Sequence, residues 1–358
     1  MFPISYCCLS AMLANAFYGF GVFSALMLGL IALCYSHNFV KKQLTNISNK
    51  EVLNKGRLFK RNVVITGGSS GIGKSFAILA AKEGANVTII ARNWEKLERA
   101  KEEIVSACRN KDSQKVQCVS LDVGQNYNQI EGVFTEMEER HGPIYMLVNC
   151  AGTAICGRIE DTNPESLKLM IDLNLIGSYY CSKAVVPKMK TRKEGKIVLV
   201  SSQAALLGIF GLSGYCCTKF GLRGLAESLS MELTPYGISV TLSLPPDTDT
   251  PGLQVEELTK PLECKLISAN AGLEQPEVVA QKMLNDTMDN KFFSFVGMES
   301  FILTTLCTGM SPYASLGELL LQALLMGPLR IISAFYLYSF KNIVKNCMKE
   351  RESQKKSE

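Results

Sequence analysis

From Arg61 onward, short apolar runs alternate with longer amphipathic stretches: NVVIT (62–66), GKSFAILAAKEG (73–84), NVTIIAR (86–92) and WEKLERAKEEIVSAC (94–108). Read by period, these are strand, helix, strand, helix. The alternation continues through VQCVSLDV (116–123), a helix over about 127–140, YMLVN (145–149), a helix over about 165–191, KIVLVSS (196–202), a helix from about 214, and ISVTLSL (238–244) as the last sheet strand. Strands rich in Val, Ile and Leu on both faces suit a parallel sheet covered by helices on each side. The pattern predicts one doubly wound Rossmann-type α/β domain over 58–290, with no internal repeat.

The two ends of the chain differ from this body. Residues 1–40 contain no Lys, Arg, Asp or Glu, and the stretch 11–35 is long enough to cross a bilayer as one helix, so 1–45 is predicted to be a transmembrane anchor. Lys41, Lys42 and Lys50 follow it and nothing basic precedes it, which puts the main domain in the cytosol. The segments 292–310 and 319–338 are also apolar, but Pro328 and Arg330 interrupt the second. An Arg at mid-bilayer costs several kcal/mol, so a ledge dipping into one leaflet is preferred over a hairpin of two crossings. On this reading 291–340 is membrane-associated and 341–358 is a charged cytosolic tail.

Composition removes several classes. The chain has 358 residues, 47% hydrophobic and 20% charged, with a net charge of +5 and no long basic run, so nucleic-acid binding has no support. Thirteen cysteines lack the C-x-x-C spacing of a zinc or redox site and there are only two histidines, so no metal is expected.

The chemistry starts with TGGSSGIG (66–73), which follows the first strand and opens the first helix. Gly67 permits a tight turn, Gly71 and Gly73 allow close approach of backbone to a pyrophosphate, and Ser69, Ser70 and Ile72 complete the turn. The second strand ends at Arg92 where an NAD site more often carries an acid. Arg92, with Lys96 one turn on, can pair with a 2'-phosphate and so favours NADPH; a solvated strand-end Arg is the other reading. In GYCCTKF (214–220), Tyr215 and Lys219 fall on one helical face with Cys216 and Cys217 between them. A metal or redox site on the cysteines, an inert buried stretch and a Tyr/Lys catalytic pair all fit that heptapeptide alone. Ser202 lies at the C-terminal end of its strand, where open α/β sheets bind ligands.

The combination of S-x12-Y-x3-K, TGxxxGxG and NCAG (149–152) resembles the short-chain dehydrogenase/reductase family over roughly residues 60–255. The resemblance implies a catalytic tetrad of Asn174, Ser202, Tyr215 and Lys219, with the two cysteines as packing residues. It also implies cofactor contacts from Asn149, Ala151 and Gly152, although Cys150 replaces the family's usual second asparagine, and from Asp122 and Val123 near the adenine. Hydride transfer to a ketone leaves an alkoxide, and a phenol with a pKa near 10 is a weak acid for it. A neighbouring Lys219 ammonium is expected to lower that pKa and to reach the cofactor ribose, while Ser202 holds the carbonyl oxygen.

The loop PPDTDTPGL (245–253), with TGGSSGIG, VSSQAA and TKPLECKLIS, resembles a group within the family that uses NADPH on a long-chain sphingoid ketone. That likeness implies Pro245, Thr248 and Thr250 near the nicotinamide end, and a membrane lipid environment for the substrate. A reductase of another lipid ketone, steroid or 3-ketoacyl thioester, and a non-catalytic cofactor-binding membrane scaffold are the rival readings. Lys355 and Lys356, fourth and third from the end, resemble a dilysine endoplasmic reticulum signal. Family members often pair through the helices carrying Asn174 and Tyr215, so a homodimer is an arrangement the sequence allows.

Overall fold

The computed structural model describes residues 56–269 and 272–357; the expected anchor over 1–45 lies outside the described residues. Seven strands form one parallel sheet in the order β3-β2-β1-β4-β5-β6-β7. They are β1 (Asn62–Thr66), β2 (Asn86–Ala91), β3 (Val116–Ser120), β4 (Ile144–Asn149), β5 (Gly195–Val200), β6 (Ile238–Ser243) and β7 (Phe293–Ser294). Because strand side chains alternate, Val63 and Ile65 enter one core and Val64 the other. The first core is closed by α1 (Gly71–Lys82), α2 (Trp94–Ser106) and α9 (Pro276–Met288), through Phe76, Leu97 and Met283. The second is closed by α3 (Tyr127–His141), α5 (Gly177–Arg192) and α6 (Ser213–Leu233), through Phe134, Val185 and Leu222. This is the expected doubly wound architecture, and the strand order reverses between β1 and β4, where such sheets bind ligands.

Local chemistry sets the helix starts. Asn93 accepts from the Lys96 amide, Asn126 caps α3, and Asn163 caps α4 (Pro164–Met170) just before a proline suited to the first turn. The predicted single helix over about 165–191 is instead α4, a π-helical turn at Ile171–Ile176, and α5. After β6 come α7 (Pro251–Thr259) and α8 (Leu262–Ser268), which cross above the C-terminal ends of the strands before α9 returns to the sheet.

The C-terminal region departs from the sequence reading. The sheet continues past residue 290, since Phe293 and Ser294 pair with Leu242 and Ser243 of β6. The rest of the apolar segment 292–310 forms a ten-residue helix, α10 (Gly297–Leu306), whose Ser300, Thr304 and Thr305 are buried in the fold. It does not form the first arm of a hairpin. The 42-residue α11 (Leu316–Ser357) then runs through Pro328 without a break. It is long and apolar enough to cross a membrane, and most of its apolar surface, including Ile331, Phe335 and Tyr338, is exposed. It nevertheless packs on α10 and α8, burying Gln322, Leu329 and Cys347.

Candidate active site

The glycine turn after β1 is built for close approach. Gly67 has φ +68, and a Cβ there would lie 2.8 Å from the Ala151 nitrogen; at Gly73 it would lie 2.4 Å from the Gly67 carbonyl oxygen. Gly71, at φ +52, sits beneath Thr250, whose methyl would be 2.9 Å from an added Cβ. Ser70 precedes α1 without a side-chain cap bond, and Ser69 and Ile72 complete the turn, so the first α1 amides face outward. The turn is locked to β4 by a residue that sequence reasoning passed over: the Thr66 hydroxyl accepts hydrogen bonds from the Cys150 and Ala151 amides, each 3.1 Å. Its signal was the Thr heading the glycine motif, at the last position of the strand.

Beside the turn, Arg92 leaves the end of β2 exposed, with its guanidinium 3.9 Å from the Asp122 carboxylate beyond β3. Asp122 also accepts from the Gly124 amide at 3.0 Å, and Val123 packs against Gly177. Lys96 stands exposed one turn into α2. On the other side, Asn149 is buried; its amide donates to Ser182 at 3.2 Å while its Oδ1 has no partner.

The four tetrad positions converge from three elements. Asn174 sits in the π turn: its Oδ1 accepts from the Thr153 amide at 2.8 Å, and its amide donates to the Thr153 carbonyl at 2.9 Å and to the Thr218 hydroxyl at 3.1 Å. One extra residue in the helix lets that side chain meet two elements, as π turns at functional sites often do. Thr218 is a second residue the sequence reading did not single out. Gly152 packs against Asn174, and a Cβ there would lie 3.8 Å from the Lys219 ammonium. Ser202 follows β5, accepts from the Ala204 amide at 3.2 Å and lies near enough to Tyr215 to act on its titration. The Lys219 Nζ lies 5.3 Å from the Tyr215 ring centroid and donates to the Val200 carbonyl at 3.0 Å.

The electrostatics differ from expectation. In the protein alone burial pushes the Tyr215 phenol above its ordinary value, the Glu256 carboxylate adds to the rise, and the Ser202 side chain opposes it. The expected fall driven by Lys219 does not appear, because that amine is itself buried and pushed down to about 8. Cys150 is raised to about 11, by burial against the opposing field of Lys219, so it is no thiolate nucleophile. Cys216 is buried packing, whereas Cys217 is exposed, which corrects its reading as a packing residue. An exposed neighbour follows from the helix, since adjacent residues point about 100° apart.

The loop after β6 closes the site. The Pro245 carbonyl accepts from the Gln203 amide at 3.2 Å, Thr248 is buried and donates to the Pro246 carbonyl at 2.8 Å, and Thr250 caps α7 through the Leu253 amide. A dinucleotide fits these residues: a cradle that side chains would fill, uncapped helix amides for a pyrophosphate, an exposed Arg92, and a buried unpaired Asn149 oxygen.

This sheet, glycine turn and Ser-Tyr-Lys set are those of a short chain dehydrogenase, and the chain belongs to that family, whose model matches residues 61–261. Relatives of much greater likeness follow. A 3-ketodihydrosphingosine reductase of Mus musculus is 48% identical over 290 residues, 81% of this chain and 87% of that one. A 3-dehydrosphinganine reductase of Danio rerio is 48% identical over 294 residues, 82% and 88% of the two chains. Among solved structures, levodione reductase is similar at 23% identity and a TM-score of 0.61, covering 68% of this chain and 99% of that one. A metagenomic short-chain oxidoreductase in complex with NADP is 27% identical, with a TM-score of 0.55 over 67% and 96% of the chains.

Proposed function

We propose that this chain reduces the ketone of 3-ketodihydrosphingosine to the alcohol of sphinganine, with NADPH as reductant. The Ser202 and Tyr215 side chains, which interact beside Lys219, carry the reaction type. The likeness to 3-ketodihydrosphingosine reductases over four-fifths of the chain supports the substrate. NADPH supplies the reducing equivalent when bound. Ser202 and Tyr215 hold the carbonyl oxygen, and Tyr215 gives it a proton as charge develops there. Lys219 supports the phenolate that remains and holds the ribose, while Asn174 fixes the floor of the proton path through Thr153 and Thr218. Asn149, Ala151 and Gly152 line the nicotinamide side, Thr248 and Thr250 cover it, and Arg92 with Lys96 takes the 2'-phosphate beside Asp122 and Val123.

The same reading places the enzyme at the endoplasmic reticulum membrane with its catalytic domain in the cytosol, where Lys355 and Lys356 are read. The attachment of α11 supports a ledge rather than a crossing. Leu329 is buried, Arg330 lies within electrostatic reach of Cys307 beyond α10, and Arg351 pairs with Glu263 of α8. The stretch from Arg330 to Arg351 is about 32 Å of helix, close to the roughly 30 Å of bilayer hydrocarbon, so the ledge is favoured because both ends rest on one body. A second copy of the chain would pack on α5 and α6, where Tyr179 and Phe220 are exposed.

The test follows NADPH absorbance with detergent-held full-length protein and 3-ketodihydrosphingosine, beside NADH and a steroid ketone. Oxidation of NADPH with sphinganine formed, and little with the others, is the expected result. Turnover of the steroid alone would keep the site and discard the substrate.

A further inference from the structure

We propose that Arg351 is a positioning residue for the active site: through Glu263 it seats α8, and with it the α7–α8 wall, against α11. Glu263 is fully buried, and neither carboxylate oxygen accepts a hydrogen bond. A carboxylate taken out of water needs a compensating charge. Arg351, arriving from the far end of α11, is the cation in contact with it. Arg158 is felt at a distance, but its guanidinium is forked onto Asp161 and Glu160. Cys347, one turn before Arg351, is buried in the same seam.

The consequence reaches the reacting phenol in two contacts. The residue after Glu263 is Cys264, fully buried in a small cluster with Cys156, Leu212 and Cys216, against which Tyr215 packs. The wall is also braced from within, since the buried Lys260 bridges Asp247, Glu256 and Glu257. Glu256 and, to a lesser degree, Asp247 are the carboxylates whose field reaches Tyr215. Nothing in that inner brace fixes α8 from outside; Arg351 does. Both partners lie beyond residue 261, where the family match ends, so the latch is an addition to the common fold. An enzyme whose α11 rests on lipid thereby has its substrate wall fastened to the element that meets the membrane. This rests on the reductase reading for its kinetic test, and on the fold alone for its exchange test.

Arg351→Ala, Arg351→Lys and the double variant Arg351→Ala/Glu263→Gln of the full chain would be compared in lipid nanodiscs. Hydrogen exchange of residues 251–268 is expected to quicken roughly tenfold in Arg351→Ala and in the double variant, with β5 and α6 unchanged. The KM for the sphingoid ketone is expected to rise roughly tenfold in both, with kcat and the NADPH Kd within about twofold of the parent, and Arg351→Lys is expected to recover much of the loss. The double variant separates the readings, because it removes the unpaired buried charge and restores Tm. A KM that stays raised there supports positioning; a KM that returns with Tm, or unchanged exchange in 251–268, overturns it. If the parent itself fails to turn over the sphingoid ketone, the substrate reading fails, and the exchange result still decides the latch.

Discussion

Tyr215 is a phenol held above its ordinary pKa by burial and by Glu256, with Ser202 opposing, so the protein alone keeps it protonated and ready to donate. Tyr215→Phe is therefore expected to bind NADPH within about twofold of the parent and to lose at least a hundredfold in kcat, the scale of a general acid. Cofactor fluorescence and single-turnover reduction measure the two separately; normal turnover would remove Tyr215 from the mechanism. Lys219 gives a pH signature. Its folded value of about 8 lies below the unfolded 10.5, so between them the unfolded chain binds more protons. Stability then rises with pH across that window, while below it both states are protonated and the penalty is constant. Melts of the cofactor-free protein and of Lys219→Met at pH 7.5 to 9.5 should show the parent gaining on the variant as pH rises. Lys196, also pushed down to about 8 by burial, contributes equally to both proteins and cancels in the difference.

Among the elements, the turn between β1 and α1 tolerates least. Gly67→Ala places a Cβ 2.8 Å from the Ala151 nitrogen at a left-handed φ, so strain and collision act together. A loss of roughly 2–4 kcal/mol in stability is expected, with weakened NADPH affinity; urea unfolding and cofactor titration measure both. A wild-type midpoint would mean that the β4 end yields easily. The strands from β1 to β6 were legible because their apolar runs are bounded by polar helices of matching period. The π turn was not, since IDLNLI has the composition of ordinary helix and its purpose, one hydrogen bond accepted by Asn174 from Thr153 and one donated to each of Thr153 and Thr218, is set by distant residues. FFSF read as apolar mass because a two-residue strand has no period to detect. Tyr215, Lys219 and Ser202 were singled out through the resemblance to the family's motif, whereas Thr66 and Thr218 needed the contacts.

For the whole molecule, the attachment of α11 at both ends makes a topological prediction. Glycosylation acceptors placed within 309–315 and after Glu358 should both stay unmodified in microsomes, as the ledge keeps them with the catalytic domain. A glycosylated tail would put a crossing in α11 and discard the ledge. The sheet order has a different kind of consequence, for the chain as it is made. β1 pairs with β2 through residues 86–90 but with β4 only through 144–149. Until that segment leaves the ribosome, β1, an inner strand of the finished sheet, has one open edge able to pair with other chains. At roughly 5–20 residues per second that exposure lasts on the order of ten seconds. Slowing translation across 67–143 lengthens it, so the yield of active protein falls although the finished fold is the same.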